Sequence, residues 1–125
     1  MLTIDHVAIP SRDPEAAARF FADLLDVPIG RDGADDEFPC VRLDARVHLL
    51  FTVAASEPPP AHHLALRASV EIFEAARARL VAAAIPFGND PEGDGARNGQ
   101  TEDFLGGHGR LYFHTADGHL FEICA

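Results

Sequence analysis

Seven histidines stand in a chain of 125 residues, and two of them, with one glutamate, combine into a definite chemistry. His6 opens one apolar alternating stretch, His63 opens a second, and Glu122 lies near the end of the last. Side chains alternate across a strand. In His6-Val7-Ala8-Ile9 the apolar pair Val7 and Ile9 therefore faces a core, and His6 shares the other face with Ala8. The same logic turns Leu64 and Leu66 inward and His63, Ala65 and Arg67 outward. It turns Phe121 and Ile123 inward and Glu122 outward, and Leu111 and Phe113 inward with Tyr112 and His114 outward. Two imidazoles and one carboxylate on one face are the donor set of an open divalent-metal site, suited to Fe, Mn, Zn or Ni, with positions left for water and substrate.

A lone strand histidine is more often an ordinary hydrogen-bonded residue than a ligand, and His48, His62 and His119 read that way. Glu122, between Phe121 and Ile123, also reads as a solvated strand carboxylate. The metal reading gains its weight from coincidence. Two comparable stretches each begin with histidine, and the carboxylate falls on the matching face of the final strand.

The elements that must position these residues come in an order that repeats. Thr3 to Pro10 reads as a strand. Asp13-Pro14 is an N-cap followed by proline at the first helical position, and Ala17, Phe20, Phe21, Leu24 and Leu25 recur at helical spacing up to Asp26. Arg31 to Glu37 reads as a loop, and Val41 to Leu43 and Val47 to Val53 as strands. Ser56 to Pro60, with three consecutive prolines, is the clearest linker. His63 to Ala68 is again a strand, and Ser69 caps a helix carrying Phe73, Ala76, Leu80 and Ala83 on one face; Ala84 stands where a C-cap glycine is usual. Pro91 to Gly107 reads as a long mobile loop. Leu111 to His114 and His119 to Cys124 are strands joined by a tight turn at Asp117-Gly118. The expected architecture is α+β: two tandem βαβββ modules in one domain over 1–125, module one about 1–55, the linker about 56–60 and module two about 61–125. They form a curved mixed sheet with a cavity, helices on the convex face, which gathers the polar face in its concavity.

Composition narrows the partners. The chain is 47% hydrophobic and 24% charged, with a net charge of -10, an ordinary globular balance. That charge repels a phosphate backbone or an anionic lipid surface, so neither nucleic acid nor membrane is an expected partner. Cys40 and Cys124 are too few for a disulfide scaffold. The first residues carry no basic and apolar leader pattern, and no apolar run approaches a membrane span. The reading is a soluble cytoplasmic protein.

The repeat, with Ile4-Asp5-His6-Val7-Ala8-Ile9, His62-His63-Leu64-Ala65-Leu66 and Tyr112-Phe113-His114-Thr115-Ala116-Asp117-Gly118-His119-Leu120-Phe121-Glu122, resembles the vicinal oxygen chelate superfamily of glyoxalases, bleomycin-resistance proteins, extradiol dioxygenases and fosfomycin-resistance enzymes. The resemblance spans essentially the whole chain. It implies metal ligands at His6, His63 and Glu122. Glyoxalase I adds a carboxylate near the end of the first repeat, and here Leu50 or Phe51 holds that place. Fosfomycin-resistance enzymes hold phosphonate with basic and hydroxyl residues before the Tyr strand; this chain has no lysine, though Arg97 and Arg110 lie there. Extradiol dioxygenases place a histidine before the Tyr strand, for which His108 is the candidate, closer than their pattern has it.

The expected function is therefore a metal-dependent enzyme acting on a small substrate that chelates a divalent metal through adjacent oxygens, of dioxygenase, lyase/isomerase or thiol-transferase type. The alternative is a small-molecule sequestering protein of the bleomycin-resistance type. Three protein ligands leave about three octahedral positions, enough for a bidentate substrate. The metal then stabilises an enolate-like or oxyanion intermediate, or activates dioxygen if iron is bound. Tyr112 can donate to a developing oxyanion, His108 and His114 are acid–base candidates, and Arg67 can fork onto a substrate carboxylate. Short chains of this kind pair, so a homodimer is expected.

Overall fold

The first helix starts and stops where local chemistry requires it. In the computed structural model, which describes residues 1–125, strand β1 spans His6–Ser11 and helix α1 spans Pro14–Leu25. Asp13 caps α1 by accepting the Ala16 N–H at 3.1 Å. Asp26 ends it in the left-handed region, φ 52°. The buried stripe Ala18, Phe21, Ala22, Leu24 and Leu25 follows the helical period, and the Phe21 ring stacks on Phe51 at 5.7 Å.

Three strands complete this unit: β2 Ile29–Asp32, β3 Phe38–Arg42 and β4 His48–Val53. Their sheet has the order β1-β4-β3-β2, with β1 parallel to β4 and the other pairs antiparallel. Arg31 and Asp32 belong to β2, not to the loop expected over Arg31 to Glu37. Ile29-Gly30-Arg31-Asp32 has one apolar side chain, so no alternation marks it; pairing with β3 makes it a strand. Strand β3 begins earlier than expected and includes Pro39, which pairs with Arg31 on the β2 side. Its pairing with β4 covers only Cys40 to Arg42, so the missing proline N–H breaks no ladder there.

The second unit repeats the order. Strand β5 spans His63–Arg67 and helix α2 Val70–Ala82, with the Ser69 hydroxyl accepting the Ile72 N–H at 3.2 Å. Strands β6, Arg110–His114, and β7, Leu120–Cys124, follow a short 3-10 turn at Gly93–Arg97. The sheet order is β5-β7-β6, with β5 parallel to β7. Where module one has β2, module two has a single bridge. Gly88 and Tyr112 exchange both backbone hydrogen bonds, at 3.1 and 2.7 Å. A Cβ at Gly88 would lie 1.9 Å from the Gly95 carbonyl oxygen, so only glycine lets the 3-10 turn come this close.

The segment before β6 is tied down by its own side chains. Asn98 Oδ1 accepts the N–H groups of Asn89 and Gln100 at 3.3 and 2.8 Å. The Asp103 carboxylate accepts those of Leu105 and Gly107 at 2.9 and 3.1 Å. At the hairpin, Gly118 has φ 87°, and the backbone of Thr115 closes on His119 at 2.9 Å. Beneath β6 and β7 lie Leu111, Phe113, Phe121 and Ile123, all buried as the alternation predicts, with Phe113 and Phe121 stacked at 6.0 Å. The chain is thus an α+β fold of two small mixed sheets, each with its own helix.

It divides into two compact units, Met1–Pro60 and Ala61–Ala125. The proline segment belongs to the first: Arg12 Nε donates to both Glu57 carboxylate oxygens at 2.8 Å.

Candidate metal centre

In module two the register of three strands builds the site. Glu122 on β7 stands opposite Tyr112 on β6 and opposite Ala65 on β5. His63 lies two residues before Ala65, hence on the same face. Its Nε2 reaches Glu122 Oε1 at 3.0 Å. Two donor atoms in adjacent octahedral positions, each about 2.1 Å from one ion, also stand about 3 Å apart. The donor chemistry and the spacing therefore fit a divalent ion. The His63 side chain is half exposed and that of Glu122 is buried, so the pair has one solvent-facing and one sheltered partner.

Arg110 sets the orientation of Glu122. Its Nη1 donates to Glu122 Oε2, and its Nε donates to Asp103 Oδ1 at 3.0 Å. With Oε2 held by the guanidinium, Oε1 is the oxygen presented to His63. Ligating carboxylates are commonly fixed by such outer partners. One cation between two carboxylates leaves the group net negative. Asp103 is held below the usual carboxylate range, chiefly by Arg110 and then by the Leu105 N–H. The two carboxylates in turn keep Arg110 firmly protonated, Asp103 the more strongly.

Tyr112 shares this face. Burial pushes its phenol up, with the Glu122 charge adding to it. The hydroxyl is therefore neutral near pH 7 and able to donate. Its ring centroid lies 6.2 Å from that of His63.

Module one builds a second cluster. His6 pairs with His48 across the parallel β1–β4 ladder, and the two rings stack at 5.4 Å. His48 Nε2 lies 2.5 Å from Asp32 Oδ2. The Asp32 carboxyl is held low by the Gly33 N–H first and His48 second. One ligand atom from each of His6, Asp32 and His48 falls within 4.8 Å of the others. His48, read from sequence as an ordinary histidine, is thus part of the most concentrated set of metal-type donors in this unit. The available signal was its place two residues before Leu50, on the face that carries His6; Asp32 gave none, because β2 was hidden.

The remaining expected site residues are dispersed. His108 Nε2 pairs with Glu74 of α2 at 2.9 Å, and its ring meets the edge of Phe73 at 5.9 Å. His108 is therefore engaged with the helix and not with His63 or Glu122. His114 is exposed at the end of β6, on the Tyr112 face, and Arg67 is exposed at the end of β5. His119 is buried, and its Nδ1 accepts the His62 N–H at 3.0 Å. Arg110 stands two residues before Tyr112 on β6, a spacing that puts both on one face and is the sequence signal for its positioning role.

This fold belongs to the glyoxalase/bleomycin resistance protein/dioxygenase superfamily, whose family profile matches residues 3–123. Among solved structures the chain is similar to oxidase ChaP-H1, with 26% identity and a TM-score of 0.87 over 100% of this chain and 96% of that one. It is similar to oxidase ChaP-H2 at 25% identity and a TM-score of 0.86, over 99% of this chain and 93% of that one. It shares the fold of TnmS3, an antibiotic-binding protein from Streptomyces sp. CB03234, at 18% identity and a TM-score of 0.71 over 99% and 95% of the two chains. No curated protein matches the chain. No helix is long and apolar enough to cross a membrane.

Proposed function

We propose that the chain is a metal-dependent enzyme of this superfamily, holding one divalent ion with His6, His63 and Glu122 and acting on a small substrate that chelates it through adjacent oxygens. The observation that carries this reading is the His63–Glu122 pair, at ligand spacing, with the second Glu122 oxygen held by Arg110. When bound, the ion supplies Lewis acidity or, if it is iron, reactivity toward dioxygen. The likeness to two oxidases at 25–26% identity supports the oxidative branch. Tyr112 donates a hydrogen bond to charge developing on a substrate oxygen, since its phenol is kept protonated. Arg110 holds Glu122 in orientation through its second oxygen. Arg67 takes a substrate carboxylate as a fork, and His114 moves protons at the same sheet face. His108, the further acid–base candidate, is held by Glu74 of α2. The chain is further proposed to pair as a homodimer, because β1 and β5 are edge strands of their sheets; a monomeric mass by light scattering would reject this.

One observation favours a second reading, small-molecule sequestration. Both Glu122 oxygens already have protein partners, so the group is satisfied without an ion. Elemental analysis of chelator-free protein separates the two, followed by assays on catechols, 1,2-dicarbonyls, 2-oxoaldehyde–thiol adducts and fosfomycin with Fe(II), Mn(II), Ni(II) and Zn(II). The enzyme reading expects turnover that falls at least a hundredfold in His63→Ala and Glu122→Ala. Turnover unchanged in both variants, or ligand binding with no turnover and no metal uptake, would reject it.

A further inference from the structure

We propose that module one carries a cation site of its own, built by Asp32, His48 and His6 and taking a borderline divalent ion of the zinc or cobalt kind. The site needs no residue of module two; His6 is common to it and to the ligand set proposed above, so the two are alternative uses of that imidazole.

The three donors come from β2, β4 and β1, and one ligand atom from each falls within 4.8 Å of the others. Two imidazoles and a carboxylate suit zinc and cobalt better than magnesium or calcium, which take oxygen donors. Asp5 Oδ2 lies 2.8 Å from His6 Nδ1. A carboxylate only accepts, so Nδ1 carries the proton and Nε2 keeps its lone pair for a metal. An imidazole held by a carboxylate in this way is the usual arrangement of a metal-ligating histidine.

His48 supplies the independent observation. It is only 6% exposed, and its Nδ1 is buried with no hydrogen-bond partner. Burying a ring nitrogen without a hydrogen-bond partner is unfavourable. With Nδ1 unpartnered, the ring's hydrogen bond is made through Nε2 to Asp32, so the buried imidazole is oriented by the donor cluster itself. The present contact from its Nε2 to Asp32 Oδ2, 2.5 Å, is bridged by a proton. Ligand atoms around a four-coordinate zinc stand about 3.3 Å apart, so an ion takes the proton's place if the two groups separate by about 0.8 Å. The Asp32 side chain is 40% exposed, which gives it room to do so.

The test uses full-length protein from which the module two donors have been removed, as His63→Ala/Glu122→Gln, with His63→Ala alone as a parallel background. Zn(II) binding is measured by titration calorimetry, and Co(II) binding by its visible absorption. Each background is expected to bind one equivalent, with the Co(II) spectrum of a nitrogen and oxygen donor set. Adding Asp32→Asn or His48→Gln is expected to weaken Zn(II) at least tenfold. Should the His48 variant not fold, the Asp32 variant decides. Backgrounds that bind neither ion, or the same affinity with and without Asp32→Asn, would overturn the site. Those results leave the His63–Glu122 reading untouched, because they are read in its absence.

Discussion

Leu50 and Glu122 hold equivalent places in the two modules. Leu50 stands opposite Ala8 on the parallel partner strand and opposite Cys40 on the antiparallel one. Glu122 stands opposite Ala65 and Tyr112 in the same sense. The repeat thus has a carboxylate in its second copy and a methyl-tipped side chain in its first, and of Leu50 and Phe51 it is Leu50 that fills the carboxylate's register.

Leu50→Glu should therefore place a carboxylate diagonal to His6, as Glu122 is diagonal to His63. Leu50 is buried, so the variant should melt earlier than the parent in chelator. Added Zn(II) or Mn(II) should bind at least tenfold more tightly than to the parent and recover the lost melting temperature. Calorimetry and thermal melts with and without metal decide this; equal affinity in variant and parent would detach Leu50 from any ligand position.

Arg110 neutralises two buried carboxylates at once. Arg110→Met should cost about 3 kcal/mol or more, because removing one partner of a buried ion pair strands the other. Urea unfolding measures the loss. Arg110→Lys should recover only part of it, since an ammonium cannot fork across Asp103 and Glu122. A loss under about 1 kcal/mol would mean the pair behaves as a surface contact.

Acid should weaken the same group. Asp103 has its carboxyl lowered by Arg110 and by the Leu105 and Gly107 N–H groups. Its unfolded value is about 3.9. The stability this supplies is complete above that value and is lost as pH falls through the lower folded one. Asp103→Asn should melt earlier at pH 7 and show a shallower decline below about pH 4 than the parent. Parallel acid limbs in scanning calorimetry would assign the decline to other carboxylates.

Ala84 closes α2 with φ 55°, a conformation that strains a residue bearing a Cβ. Ala84→Gly should stabilise by about 1 kcal/mol, raising the melting temperature by about 3 °C. Ala84 is exposed, so no packing is lost, and an unchanged or lower melting temperature would show that the unfolded-state entropy of glycine offsets the relief.

Local chemistry alone determined much of this protein. Asp13-Pro14 and Ser69 start the helices because a side-chain oxygen must take an orphan N–H, and the missing glycine at Ala84 is visible as a strained stop. Strict alternation placed His63 and Glu122 on the face opposite Leu64, Leu66, Phe121 and Ile123, because a strand has a period of two. Alternation has no information on which strand lies beside which, or in what register. The parallel pairing of β1 with β4 puts His48 against His6, and an edge strand with one apolar residue brings Asp32 to His48 from 16 positions away. The same holds for Arg110, whose two carboxylate partners are chosen by the β6–β7 register and by the folded segment around Asp103. Those contacts depend on hydrogen bonds between segments distant in the chain, and only the tertiary structure decides them.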